Sequence, residues 1–221
     1  MSKKAKGIIG VTAAVLAIVA AVILIVQFTS GANVYEVGET VRFGKWDWRV
    51  LDVQDSKALL IAKNIIEQQP YNDEFATVTW EDCTLRKHLN SEFLKKFSEE
   101  EQARICETEN INLDNQWNGT KGGNNTKDKV FLLSIEEVVK YFGDSGQLEK
   151  KNPNSVHWID DQYDSERAAK FNTGSFWWWL RSPGTNPACP AFVSPDGYID
   201  LTGSSIDFRG GLRPALWLKI D

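Results

Sequence analysis

Side chains suited to nucleophilic or acid–base chemistry are scarce in this chain: two histidines, His88 and His157, and three cysteines, Cys83, Cys106 and Cys189. A hydrolase needs a nucleophile or an activated water beside a positioned base, usually drawn from His, Cys, Asp or Glu. The histidines lie too far apart for a local zinc motif, and the cysteines lack metal-ligand spacing. A Cys189–His157 dyad would have to assemble in space. No glycine-rich phosphate loop and no Gly-x-Ser-x-Gly elbow occurs. Asp114, Asn124, Asn125 and Asp128 place oxygen ligands of the kind calcium prefers in one segment, but their spacing matches no EF-hand and reads as a solvated loop. The sequence therefore calls for no catalytic residue, no cofactor and no metal. Its cysteines read as buried free thiols, with a Cys83–Cys106 bridge as the alternative.

Two runs stand out instead. One is Trp177-Trp178-Trp179-Leu180-Arg181-Ser182-Pro183-Gly184; the other, Gly210-Gly211-Leu212-Arg213-Pro214-Ala215-Leu216-Trp217, echoes it. Consecutive tryptophans on a strand point to both faces, so at least one belongs to the core, and an exposed one could stack on a sugar or a peptide. Arg181 and Arg213 sit in apolar surroundings, which predicts structural roles reaching carboxylates or backbone carbonyls. Between the two runs, Asn186, Asp196, Tyr198, Asp207 and Arg209 occupy turn-rich segments, where binding residues concentrate on a rigid scaffold. They form the expected ligand face.

The elements that would hold these residues follow from local pattern. Thr40–Phe43, Trp46–Val53 and Leu59–Ala62 alternate apolar and polar residues, predicting a β-meander. Thr79 with Asp82, Ser98 with Glu101, and Ser134 with Glu137 predict capped helices over Trp80–Leu89, Gln102–Cys106 and Val138–Phe142. Asn110–Lys129 reads as a long surface loop. Strands return at Phe176–Leu180, Ala191–Val193, Tyr198–Leu201 and Ala215–Ile220, with a Ser194-Pro195-Asp196-Gly197 turn. Strands, then helices, then strands make an α+β domain of short antiparallel strands.

At the other end of the chain, Ile8–Phe28 carries no charge and, as a helix, would span ~31 Å, enough for the hydrocarbon core of a bilayer. Lys3, Lys4 and Lys6 precede it and predict a cytoplasmic N-terminus, with the rest of the chain outside. A cleaved signal peptide ending near Ser30-Gly31-Ala32 is the alternative. The expected order is a cytoplasmic stub (1–7), a transmembrane helix (8–28) in contact with lipid, a linker (29–37) and an extracytoplasmic domain (38–221). Beyond the three lysines the chain has 22 basic and 30 acidic residues, a balance of −8. That argues against nucleic-acid partners.

The runs FGKWDWRVLDV (43–53), PYN (70–72), TWEDCTLRKHLN (79–90), FSEEEQARI (97–105), DKVFLLSIEEVVKYF (128–142), WWWLRSPG (177–184) and GGLRPALWL (210–218) resemble a widespread family of uncharacterised bacterial domains, common in Firmicutes. The family is known only as a domain of unknown function. Its C-terminal pattern in turn is similar to the C-type-lectin-like fold of formylglycine-generating enzymes. The resemblance implies that fold and no established activity, and neither a formylglycine-type cysteine pair nor a lectin sugar-binding triplet is present. The expectation is a membrane-anchored extracytoplasmic module binding a protein or glycan. The competing expectations are an envelope hydrolase acting on wall material and a structural subunit of a membrane complex.

Overall fold

In the computed structural model the described residues are 35–151 and 157–220. The expected transmembrane helix over 8–28 lies outside them, and no helix among the described residues is long and apolar enough to cross a membrane.

The chain opens with β1 (Thr40–Phe43), β2 (Trp46–Gln54) and β3 (Lys57–Ala62), the antiparallel meander that the alternation predicts. Strand β4 (Glu67–Gln69) follows, then helix α1 (Thr84–His88) and helix α2 (Glu99–Arg104). Next come β5 (Ile105–Cys106), β6 (Thr108–Asn110), β7 (Thr126–Asp128), α3 (Ile135–Phe142) and α4 (Gln147–Lys150). The last third holds β8 (Trp158–Ile159), α5 (Asp164–Arg167), β9 (Ala169–Phe171), β10 (Gly174–Phe176), β11 (Trp178–Pro183), β12 (Pro190–Val193), β13 (Ile199–Asp200), β14 (Gly210–Leu212) and β15 (Ala215–Lys219). These build a five-stranded sheet, β1-β2-β3-β15-β5, and a six-stranded sheet, β4-β14-β11-β12-β13-β8, with two smaller ribbons. Every pairing is antiparallel except β11 with β14, so the domain is α+β with short, mostly antiparallel strands. The C-terminal strand β15 lies between β3 and β5, so both ends of the domain share one sheet.

Two of the three capping boxes form. Ser98 with Glu101 starts α2, and Ser134 with Glu137 starts α3, each side chain answering the other's backbone N–H. The third expectation is corrected at its start: the helix expected over Trp80–Leu89 begins only at Thr84, and Thr79 does not cap it. Thr79–Cys83 is a turn, and α1 begins at Thr84 with Cys83 Sγ as its cap. Two distant groups impose that start. Asn72 Oδ1 accepts the Thr84 N–H at 3.0 Å, and Trp80 Nε1 donates to Asp128 at 3.1 Å, holding Trp80 out of helical register. The expected helix Gln102–Cys106 likewise ends at Arg104, because Ile105 and Cys106 pair with β15. The expected strand Phe176–Leu180 is divided as well: Phe176 belongs to the β9–β10 ribbon and Trp178 begins β11.

Asn110–Lys129 is not a solvated loop along its whole length. Ribbon β6–β7 closes it, and Asn110, Asn112, Asn115, Thr126 and Asp128 are buried. Asp128 is its anchor, accepting from Trp80, Arg86 at 2.6 Å, Asn110 at 2.9 Å and Thr126 at 2.8 Å. A buried carboxylate without such donors would be costly. Asn124 and Asn125 are bonded to Glu81 and to Asn112. No group of three or more His, Cys, Asp or Glu among the described residues is placed to hold a metal ion.

The core runs between the sheets and helices. Trp178 is fully buried; its ring lies 4.9 Å from the Arg213 guanidinium and its Nε1 donates to the Arg167 carbonyl. Arg181 pairs with both carboxylate oxygens of Glu137 and donates to Asn112, Leu132 and Ile111. All three cysteines are free.

Two outcomes follow for stability. Trp178→Ala leaves a large cavity and is expected to cost about 3–5 kcal/mol, a major fraction of a total near 5–15 kcal/mol. Unchanged chemical denaturation would remove Trp178 from the core. Glu137→Ala leaves the buried Arg181 charge without its carboxylate. Because the Glu137 side chain is 28% exposed, the expected cost is the lower end of the range for a broken buried pair, about 3 kcal/mol. A midpoint shift no larger than that of Glu136→Ala would show that the carbonyls alone satisfy Arg181.

Candidate functional site

The two faces of the six-stranded sheet differ in kind. Residues paired across a ladder share a face, and neighbours along a strand alternate. Trp178, Val193, Ile199 and Ile159 are successive partners and are all fully buried. The alternate row is Trp179, Phe192, Asp200 and Trp158. Trp179 is covered, with the Tyr71 ring 5.6 Å away and its Nε1 bonded to the Gln69 carbonyl. Towards the β8 edge the row opens: Phe192 and Asp200 are half-buried and Trp158 is 37% exposed.

Further aromatic rings extend the open row at both ends. Trp177 lies 5.3 Å from Phe192 and 5.9 Å from Phe176, stacked on the latter, and Phe176 lies 6.2 Å from Phe171. Gly210 makes room for this arrangement, since a Cβ there would collide with the Trp177 and Trp179 rings. At the other end Tyr198, which shares the face of Asp200, packs 5.8 Å from Trp158. From β12 to β8 is two strand spacings, about 10 Å, with Asp200 midway. Asp200 Oδ1 accepts from the Thr202 and Gly203 amides, which fixes the carboxylate in place. Burial and the Asp200 and Asp196 carboxylates push the Tyr198 phenol above its usual range. The result is a shallow band of half-exposed rings with one fixed carboxylate. It can stack on flat apolar surfaces and accept hydrogen bonds from hydroxyl or amide groups.

The five residues expected to form the ligand face do not converge on one place. Tyr198 lies on this band and Asp196 sits at the tip of the turn leading into it, where Gly197 takes φ +102° and its N–H bonds Ser194. Asp207 and Arg209 are near the opposite edge: Asp207 accepts from Ser205, and Arg209 donates to the Gln68 carbonyl of β4 at 2.6 Å. Asn186 is exposed and caps its own turn through the Ala188 amide. From β13 to β14 is three strand spacings, so Tyr198 and Arg209 stand about 14 Å apart in sheet terms. Phe192, Asp200 and Trp158 were missed by sequence reasoning. Phe192 and Asp200 lie in expected strands, but their face depends on strand register, and β8 is only two residues long.

Of the scarce nucleophiles, Cys83 is fully buried, and His88 Nε2 lies 3.3 Å from the Glu67 carboxylate. Burial pushes the Cys83 thiol up to about 12, where it holds its proton and caps α1. Cys189 and His157 share no hydrogen bond among the described residues.

No curated protein and no solved structure matches this chain. A family model does, over residues 55–220, from the middle of the meander through β15. The chain therefore belongs to the DUF6273 family, a domain of unknown function.

Proposed function

We propose that this protein is an extracytoplasmic binding module, tethered by the apolar segment 8–28, that captures its ligand on the outer aromatic band of the six-stranded sheet. The observation that carries this reading is the open row Phe192–Asp200–Trp158, flanked by Trp177 and Tyr198. Aromatic rings left half-exposed side by side forgo burial that the fold gives every other tryptophan of the sheet, and a partner that covers them recovers it. The ligand class is a glycan or an extended peptide, both of which present flat apolar surface edged with hydrogen-bonding groups. The C-type-lectin-like form of the fold belongs to the same proposal and rests on the paired WWWLRSPG and GGLRPALWL runs.

Chito-oligosaccharides and soluble muropeptides are suitable probes, read by intrinsic tryptophan emission of the full-length chain in neutral detergent. Binding is expected to shift the emission. Trp158→Ala should weaken binding by about 2 kcal/mol, roughly 30-fold in Kd, without loss of folding, because the ring is at the open edge. A folded Trp158→Ala, Phe192→Ser double variant that binds either probe like the parent would move the site elsewhere.

Topology has its own check. Protease added to cells with a permeabilised wall should digest residues 33–221 and spare the N-terminus. Protection of the domain until lysis would reverse the orientation, and a mature chain starting near residue 33 would show a cleaved signal.

A further inference from the structure

On the other side of the β9–β10 ribbon lies a cavity of about 370 Å³ bounded by Lys63, Asn64, Ser165, Lys170 and Ser175 over an alanine floor. No carboxylate lines it. Its only charged lining residues are thus the two lysines. The donor set is two ammonium groups, two hydroxyls and one amide, all exposed. Among the described residues neither Lys63 nor Lys170 has an ion-pair partner, a state they share with other exposed lysines such as Lys87 and Lys127, so both ammonium groups are open to a ligand.

The geometry that holds the two lysines is firm. The Ile65 N–H donates to the Lys170 carbonyl at 2.9 Å and the Lys63 N–H to the Asp47 carbonyl at 2.9 Å, so both backbones are fixed. Lys170 and Ser175 are cross-strand partners and share one side of their ribbon. Behind the wall sits Arg213, 3% exposed, donating to the carbonyls of Ala62 and Arg167, the residues just before the lining Lys63 and Ala168. No carboxylate pairs with Arg213 among the described residues, so its charge is offset only by carbonyl dipoles and the Trp178 and Phe142 rings. A second cavity of about 260 Å³ shares Lys63 and Asn64 and is lined further by Lys45 and by the Arg42–Asp47 ion pair, so a carboxylate enters only on that side.

We propose that this cavity is an oxyanion-binding site that takes a phosphate-bearing ligand, either a soluble sugar phosphate or a lipid headgroup. Two point charges with hydroxyl and amide donors around one cavity suit the three oxygens of a phosphoryl group. A volume of about 370 Å³ admits the phosphoryl group together with the moiety that carries it.

The test uses the ¹⁵N-labelled full-length chain in neutral detergent, titrated with inorganic phosphate and with glycerol 1-phosphate. The amides of Lys63, Asn64, Lys170 and Ser175 should shift together. Lys63→Gln and Lys170→Gln should each weaken binding about tenfold, the worth of one charge-assisted hydrogen bond. Lys87→Gln removes the same charge elsewhere and should change nothing; an equal loss there would reduce the effect to general electrostatics and overturn the site. Phosphatidylglycerol vesicles, with phosphatidylcholine as control, separate the two sources. Engagement through Lys63 and Lys170 without a response to glycerol 1-phosphate assigns the oxyanion to lipid. No shift with any probe, or unchanged affinity in the double lysine variant, overturns the proposal. Trp158→Ala leaves phosphate binding intact on this view, so the aromatic band and the cationic cavity stand or fall separately.

Discussion

Three guanidinium groups lie inside this domain, and the need to give each of them acceptors sets the positions of most of its elements. Arg167, Arg181 and Arg213 are 0%, 3% and 3% exposed. An ion removed from water must be returned its hydrogen bonds, or the cost is several kcal/mol. Arg181 takes the Glu137 carboxylate, the Asn112 side chain and the carbonyls of Ile111 and Leu132, so β11, α3 and the 111–112 segment meet at one point. Arg167 takes Asp161 at 2.7 Å, Asp164, and the carbonyls of Gly143 and Gly197, which ties α3 and the β12–β13 turn to α5. Arg213 has only carbonyls and rings, and burial with the neighbouring Arg49 charge pushes it down to about 9. It remains a cation at neutral pH. The Arg167 carbonyl accepts from both Trp178 and Arg213, so two of the three networks are joined through one peptide group.

The runs that carry the family resemblance are those that bond one another. Tyr71 of PYN donates to the Arg181 carbonyl of WWWLRSPG, and Asn72 caps the helix within TWEDCTLRKHLN. Arg86 of that helix and Asn90 just beyond it hold Asp128 and Val130 of DKVFLLSIEEVVKYF, whose Glu137 returns to Arg181. Ser182 accepts the Ile135 N–H, and Trp178 stacks with Arg213 of GGLRPALWL. A signature made of mutual contacts describes how the domain holds together. It carries little information about ligands, which is why the motifs identify the family so readily and its function so poorly.

The same distinction explains what could be read from sequence. Two of the capping boxes, the meander and the Pro-Asp-Gly turn depend on residues within a few positions of each other, and they form where expected. The start of α1 depends on Asn72, twelve residues earlier, and on Asp128, far later, so the local Thr79–Asp82 pattern loses to tertiary contacts. The segment from Asn110 to Lys129 misleads for a related reason. Its asparagines have the composition of a solvated loop, yet Asn110, Asn112 and Asn115 are satisfied inside the protein by Asp128, the Asn124 carbonyl and the Pro183 carbonyl. Polar residues report a need for partners and not where those partners are.

Register decides the rest. A slip of one residue along β12 would turn Phe192 inward and Val193 outward, and the aromatic band would vanish into the core while small aliphatic groups faced out. Three successive tryptophans cannot fix that register by themselves, since any alternation buries some of them. Contacts on both faces hold it: Trp178 lies inward against the Arg213 guanidinium, and on the opposite side Gly210 leaves room for the Trp177 and Trp179 rings. The β9–β10 ribbon then inherits the choice. Lys170 and Ser175 occupy positions alternate to Phe171 and Phe176, so rings on one side place the cationic cavity on the other. Alternation along the strands thus separates an aromatic surface from a basic one, in the six-stranded sheet and in the ribbon beside it.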